Sequence, residues 1–288
     1  MQNRGVKDAP LFCGTDLARR IEAAEARLIV AATEAARRRG AAGLVMPMAD
    51  GFACFADSGS PMNKVVGLGF GGVPDTVALD EVERMMSDNG TPVQVELSNL
   101  ANPAVAALLT DRGYRLAGFE NVLGRTLTAV EPPAPAGVEV RTSADDELDA
   151  WVEAVVEGFA HPDDAGAPSH EDFPRDIVER VERDMEAAGL TAYLALCDGE
   201  IAGGGGLCMT DGIAQLTGAA TAPAFRRRGV QSALLSARLR DATKAGCDMA
   251  VVTTAPGSTS QKNVQSKGFH LLYTRAVLVL RSSPRPVP

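Results

Sequence analysis

The sequence is poor in the features that announce metal, disulfide or nucleic-acid chemistry. Its five cysteines, Cys13, Cys54, Cys197, Cys208 and Cys247, are odd in number and scattered, with no CxxC pair. That usage fits reduced thiols and gives no reason to expect a disulfide framework or a metal site. Basic residues are in the minority, 28 against 37 acidic for a formal charge of −9, and no basic stripe with interleaved aromatics occurs. A general attraction to nucleic acid is thereby excluded, and any anion site must be local. No run approaches the roughly 18 consecutive apolar residues of a membrane helix. The N-terminus also lacks the basic, apolar, small-residue order of a signal peptide. The expectation is a cytoplasmic protein with no membrane partner.

What is present suffices for two ordinary domains: 288 residues, 45% of them apolar. The clearest break is Glu131-Pro132-Pro133-Ala134-Pro135-Ala136, which can continue neither a helix nor a central strand. It divides the chain into a domain at 1–130, a linker at 131–136, a second domain at 137–281 and a flexible tail at 282–288. In the first half, helical spacing marks residues 16–39, which end in three arginines and Gly40. Strands are expected near 43–48, 51–56, 64–70 and 93–97, helices over 79–87 and 103–112, and a hairpin over 114–128. In the second half a strand at 138–141 precedes a helix over 145–159 capped by Ser143. A polar loop at 161–172 and a helix over 174–188 follow. Strands at 191–197 and 201–209 flank the turn Asp198-Gly199, and a strand at 213–221 comes next. Helices over 231–245 and 258–267, a strand at 249–254 and a terminal strand pair through Leu280 complete the series.

The chemistry concentrates in Arg226-Arg227-Arg228-Gly229-Val230-Gln231-Ser232-Ala233. A helix that opens directly after a strand leaves free backbone N–H groups at its start, a nest suited to phosphate oxygens. Gly229 allows close approach, and the three arginines add charge that a diphosphate can pair with. Arg37, Arg38, Arg39 and Gly40 have similar composition but close a helix, so the same inference does not hold there. Residues 67–72 (Gly-Leu-Gly-Phe-Gly-Gly) suggest a dinucleotide loop, yet Val73-Pro74-Asp75 follows them where a helix is needed. The glycine run at 203–206 marks either a bulge or a close approach of backbone to a ligand. Trp151 sits at an apolar helix position and reads as core.

With Arg226, Gly229 and the helix behind them, the second half resembles the GNAT superfamily of N-acyltransferases. Gln231 departs from the small residue that family carries at the last position of its motif. The likeness continues through residues 247–254, similar to the fifth strand, and through Gly268-Phe269. The stretch from Thr91 to Tyr114 is similar to the end of the same fold, so the first half reads as a degenerate repeat that has lost the arginine-glycine loop. The resemblance implies an α/β (α+β mixed sheet) fold: tandem GNAT-like domains, each a mostly antiparallel mixed sheet flanked by helices.

It also implies acetyl-CoA as acyl donor and direct attack by an amine acceptor, with no metal and with a homodimer left open. Leu216, Thr217, Gly218, Ala219, Ala220 and Thr221 would hold the thioester arm. Arg226, Arg227, Arg228, Gly229, Val230, Gln231, Ser232 and Ala233 would cradle the pyrophosphate, and Ser258, Ser260 and Asn263 would bond the arm or a water, unless Ser258 only caps its helix. The tyrosine acid of many relatives is absent, its place taken by Val264. Tyr273 is the candidate acid instead. Gln215 and Thr217 stand where a strand carboxylate would serve as base. The candidate base is Glu171, in a loop with His161, Asp163, Asp164, His170 and Asp172 that would favour a cationic amine. Two rival readings are a non-catalytic acyl-CoA sensor and a transferase acting on protein or peptide amines.

Overall fold

A computed structural model describes residues 11–127, 131–161 and 173–281. The first half runs α1 (Thr15–Arg38), β1 (Leu44–Met48), β2 (Gly51–Phe55), β3 (Lys64–Val66), α2 (Thr76–Asp88), β4 (Val93–Ser98), α3 (Pro103–Asp111) and β5 (Arg115–Thr126). The second runs β6 (Val138–Thr142), α4 (Leu148–Ala160), α5 (Arg175–Ala187), β7 (Thr191–Cys197), β8 (Glu200–Thr210), β9 (Ile213–Thr221), α6 (Val230–Lys244), β10 (Met249–Thr254), α7 (Thr259–Gln265) and β11 (His270–Leu280). The fold is a mixed, mostly antiparallel sheet flanked by helices.

All eleven strands form one sheet in the order β1-β2-β3-β4-β11-β5-β10-β9-β8-β7-β6. Its centre corrects the sequence-based expectation at both ends of the halves. Where hairpins are predicted over 114–128 and before Leu280, each half ends in a single long strand. Neither strand contains a two-residue turn signal of the Asn-Gly or Asp-Gly kind, so nothing folds it back on itself. Each instead finds its antiparallel partner in the other half: β11 lies between β4 and β5, and β5 lies between β11 and β10. The two halves therefore exchange their last strands.

Each half also holds one parallel pair, β3 with β4 and β9 with β10, bridged by a loop and a helix. The second half thus repeats the first from its parallel pair to its last strand. Apolar side chains of α6 and α7 cover one face of the sheet with Leu123, Ala214, Leu216 and Ala250. On the opposite face α4 and α5 pack with Leu28 and Ala32 of α1.

A buried polar seam fastens the exchanged strands beneath α1. Arg275 of β11, 1% exposed, donates to Glu22 at 2.7 Å and to Glu25 at 2.9 and 2.5 Å, with Glu96 and Glu120 within 4 Å. Lys64 donates to Glu96 at 2.6 Å. Three smaller expectations also change. The residues before α4 form a 3-10 turn, and the Ser143 hydroxyl bonds the Ala144 carbonyl instead of capping; the carboxylate of Glu147 accepts from the Ala144 N–H at 2.9 Å. Strand β3 stops at Val66 because Gly67 and Gly69 take positive φ. Of the two readings of the glycine run in β8 the bulge holds, with a register shift between Gly204 and Gly206, and the close approach is of protein instead of ligand: a Cβ on Gly204 would meet Val155 at 2.8 Å and Trp151 at 3.0 Å, and one on Gly205 would meet Arg238 at 3.2 Å.

Candidate functional site

Strands β9 and β10 pair over only three residues, Ile213 to Gln215 against Met249 to Val251. Beyond that point they diverge, and the backbone of β9 has no strand partner on its β10 side. A one-residue bulge between the pairs Gly204↔Ala220 and Gly206↔Thr217 bends β9 there, with Gly218 at φ +55. Arg238, 2% exposed, holds the bend by donating from α6 to the carbonyls of Gly206 at 3.0 Å and Thr217 at 3.2 Å. The opening between the strands is a cavity of about 1000 Å³ walled by β9, the end of α4, the start of α6, and α7.

The start of α6 supplies the electropositive end of this cavity. Arg227 and Gly229 both take left-handed backbone, φ +64 and +86, which turns successive N–H groups to one side. Gly229 is the residue before the first helical turn, and a Cβ there would press on Pro135 at 2.8 Å. The first N–H groups of α6 have no intrahelical acceptor and carry the positive end of the helix dipole. Arg226 donates to the His161 carbonyl at the end of α4, tying the loop to that helix at the rim of the cavity.

The structure brings most of the predicted donor residues together. Leu216, Thr217, Gly218, Ala219, Ala220, Thr221, Arg226, Arg227, Gly229, Val230, Gln231, Ser232, Ser260 and Asn263 all line the cavity. Three predicted residues do not. Arg228 points outward to Asp198 and lies 5.8 Å from the Phe225 ring centre. Ala233 is 2% exposed in the core beneath α6. The Ser258 hydroxyl accepts the Gln261 N–H at 3.1 Å, and so caps α7.

Tyr273 is placed away from the cavity. Its ring is 3% exposed under α1, its hydroxyl donates to Glu22 at 2.7 Å, and burial together with the Glu22 carboxylate pushes its phenol well above the ordinary value. It is not among the residues that line the cavity. Glu171, with Asp163, Asp164, His170 and Asp172, lies outside the described residues; His161 borders the cavity. The sequence reading missed Phe159 and Arg238, and it missed Lys267, also on the wall. Arg238 is one helical turn past Leu234 on a helix already recognised, and a charged residue at a core-facing position is the signal that marks it.

The first half holds a corresponding loop in a different state. Residues 67–72 follow β3, and Val73-Pro74-Asp75 separate them from α2, the helix expected over 79–87, which begins at Thr76. The N–H groups of Gly69, Phe70 and Gly71 converge as a phosphate nest would, but they donate to Asp50, at 3.1 Å from Gly69 and 2.6 Å from Phe70. The start of α2 is closed in the same way, Asp75 accepting from Ala78 at 2.8 Å.

A splayed parallel pair with a helix-start nest at its mouth offers N–H donors and room of the kind that a long ligand ending in phosphates requires. Residues 153–271 match the model of the acetyltransferase (GNAT) family, so this part of the chain is a domain of that family, whose chemistry is acyl-CoA-dependent acyl transfer. No curated protein matches the chain by sequence. Solved structures of similar fold include a GCN5-related N-acetyltransferase from Kribbella flavida, 19% identical over 90% of this chain and 96% of that one, with a TM-score of 0.61. Another is a GCN5-related N-acetyltransferase from Sphaerobacter thermophilus, 19% identical over 90% and 92%, TM-score 0.54. A tandem GNAT protein from the clavulanic acid biosynthesis pathway is 14% identical over 82% and 79%, TM-score 0.58. At these identities the likeness is one of fold.

Proposed function

We propose that the chain is an N-acetyltransferase that moves the acetyl group of acetyl-CoA to a primary amine by direct attack. The observation that carries this reading is the nest of Gly229, Val230, Gln231 and Ser232 opening onto the splay between β9 and β10. In this reading the helix start and Arg227 hold the pyrophosphate, and Ser260 and Asn263 bond the pantetheine arm. The unpaired backbone of β9 polarises the thioester carbonyl, as preorganised N–H donors do in acyl transfer. The donor supplies an activated acyl group; the protein supplies position and charge. The placement of Tyr273 away from the cavity favours a second reading, an acyl-CoA-binding module without turnover.

Calorimetric titration with acetyl-CoA, followed by free-thiol release against a panel of amines, separates the two. Binding with turnover is the expected result. Binding without thiol release leaves the second reading, and absence of binding removes both.

A further inference from the structure

Helix α5 carries a carboxylate that the reaction outlined above leaves unused. Glu182 is 8% exposed, and among the described residues it has neither a hydrogen bond nor a counter-ion. The cations on the elements packed against it are committed elsewhere. On α1, Arg27 is held by Asp211 and Arg38 by the Ala187 carbonyl, and Arg39, which ends the helix, by Asp184 and Asp57. On α5 itself Arg175 pairs with Glu153 and Glu179, Arg180 with Asp176, and Arg183 with Asp149. The remaining acid of α4, Glu157, faces His161 and Arg175. From β9 only the neutral Gln215 and Thr217 are presented.

The position of this carboxylate is specific. A Cβ on Gly218 would lie 3.2 Å from one of its oxygens and 3.4 Å from the other, and Gly218 is the bulge residue on the cavity wall. Glu182 is not itself on the cavity lining, so cavity and carboxylate meet only across Gly218. On the same strand Gln215 Oε1 and Thr217 Oγ1 are enclosed without a partner, whereas the Glu182 oxygens are not among the enclosed atoms. Thr217 beside the bulge and Glu182 against Gly218 are both unsatisfied by the described residues, and such groups leave bonding for a polar ligand or water to complete. Burial pushes the Glu182 carboxyl up to about 7, so it changes charge near neutrality, as a base must.

We infer that Glu182 is the general base of the transfer, receiving a proton from the acceptor ammonium as the amine reaches the thioester over Gly218. The inference rests on the transferase reading. One N–H proton passes to a Glu182 oxygen, and the freed nitrogen pair forms the C–N bond. The C–S bond breaks, and the second proton released by nitrogen goes to the departing sulfur. Glu182 returns its proton to solvent, and the products are an amide and a free thiol.

The test compares wild type with Glu182→Gln and Glu182→Asp, using acetyl-CoA and, as acceptors, spermidine, an aminoglycoside, a lysine-bearing peptide and water. Glutamine is isosteric and neutral, so the variant relieves a buried charge and folds. The expected result is an acetyl-CoA Kd within about twofold of wild type and a kcat/KM lower by about 100-fold or more. Wild-type kcat/KM rises to a plateau above pH about 7; this limb disappears in Glu182→Gln and partly returns in Glu182→Asp. Turnover by Glu182→Gln with unchanged kcat/KM and pH profile overturns the inference and leaves the transferase standing. Wild type that binds acetyl-CoA yet releases no thiol with any acceptor, or that fails to bind it, removes the transferase reading and this one with it.

Discussion

Two loops in this chain have the same ancestry of shape, strand to glycine loop to helix between a pair of parallel strands, yet they present opposite faces to an anion. After β9 the loop is open: the helix start faces a cavity, and Arg226 and Arg227 stand at its rim. After β3 the nest is filled by the carboxylates of Asp50 and Asp75. Backbone N–H groups accept any correctly placed anion. Which half binds a ligand is thus decided less by the glycines, which the first loop has in greater number, than by whether the protein supplies the anion itself. The strand exchange makes the comparison an internal one, since both loops hang from a single sheet.

The largest effect is expected from cutting that common frame. Arg275→Met leaves Glu22, Glu25, Glu96 and Glu120 without their shared cation. Removing one partner of a buried ion cluster costs about 3–5 kcal/mol. Because β5 and β11 each complete the other half, denaturant unfolding followed by two probes, one per half, should show coincident transitions shifted together. Separate transitions would mean that the exchanged strands do not couple the halves. Next comes Gly229→Asp. Aspartate tolerates left-handed backbone better than most residues, but its Cβ must displace Pro135, 2.8 Å away, so a far-UV spectrum and melting curve like those of wild type are the control; its carboxylate would fill the second nest as Asp50 fills the first. Calorimetry should show acetyl-CoA affinity falling by at least about 100-fold, roughly the worth of two charge-assisted bonds.

The converse change is Asp50→Ala, expected to open the first nest. Three N–H groups lose a charged acceptor at an exposed position where water can replace it, so the stability loss should be about 1 kcal/mol. Added sulfate should raise the melting temperature of this variant more than that of wild type. Equal responses would mean that the loop does not bind anions once emptied.

What the sequence made legible follows the same division between local and distant causes. The order strand, arginine-glycine, helix is local, and the residues of β9 and of Gly229 to Ser232 reached the cavity as that order implied. The self-filled nest was not legible, because Asp50 lies about twenty positions before its donors, and the pair Asp50-Gly51 signals a turn without saying what the carboxylate will meet. Nor was the partner of β5 or β11, since an apolar strand without a turn signal does not specify which strand it will pair with. Tyr273 was named as an acid from its residue type, but a strand residue two places from Arg275 shares its face, and that face carries the buried seam. Glu182 lies on a helix rich in acidic residues, and only its burial and its approach to Gly218 of β9 distinguish it from its solvated neighbours.

The smallest expected effect tests whether the arginines of the open loop act by charge or by direction. Arg227 and Arg228 are adjacent and alike in sequence, yet only Arg227 faces the cavity, while Arg228 is tied to Asp198 at an exposed site. If overall positive potential held the pyrophosphate, Arg227→Ala and Arg228→Ala would weaken acetyl-CoA binding equally. If contact holds it, Arg227→Ala should cost roughly tenfold in Kd, the worth of a charge-assisted hydrogen bond. Arg228→Ala should then change Kd by less than about twofold, with the exposed ion pair itself worth about 0–1 kcal/mol of stability. Calorimetry at low and high salt sharpens the distinction, because screening erodes a long-range contribution from Arg228 and leaves a short contact from Arg227 largely in place.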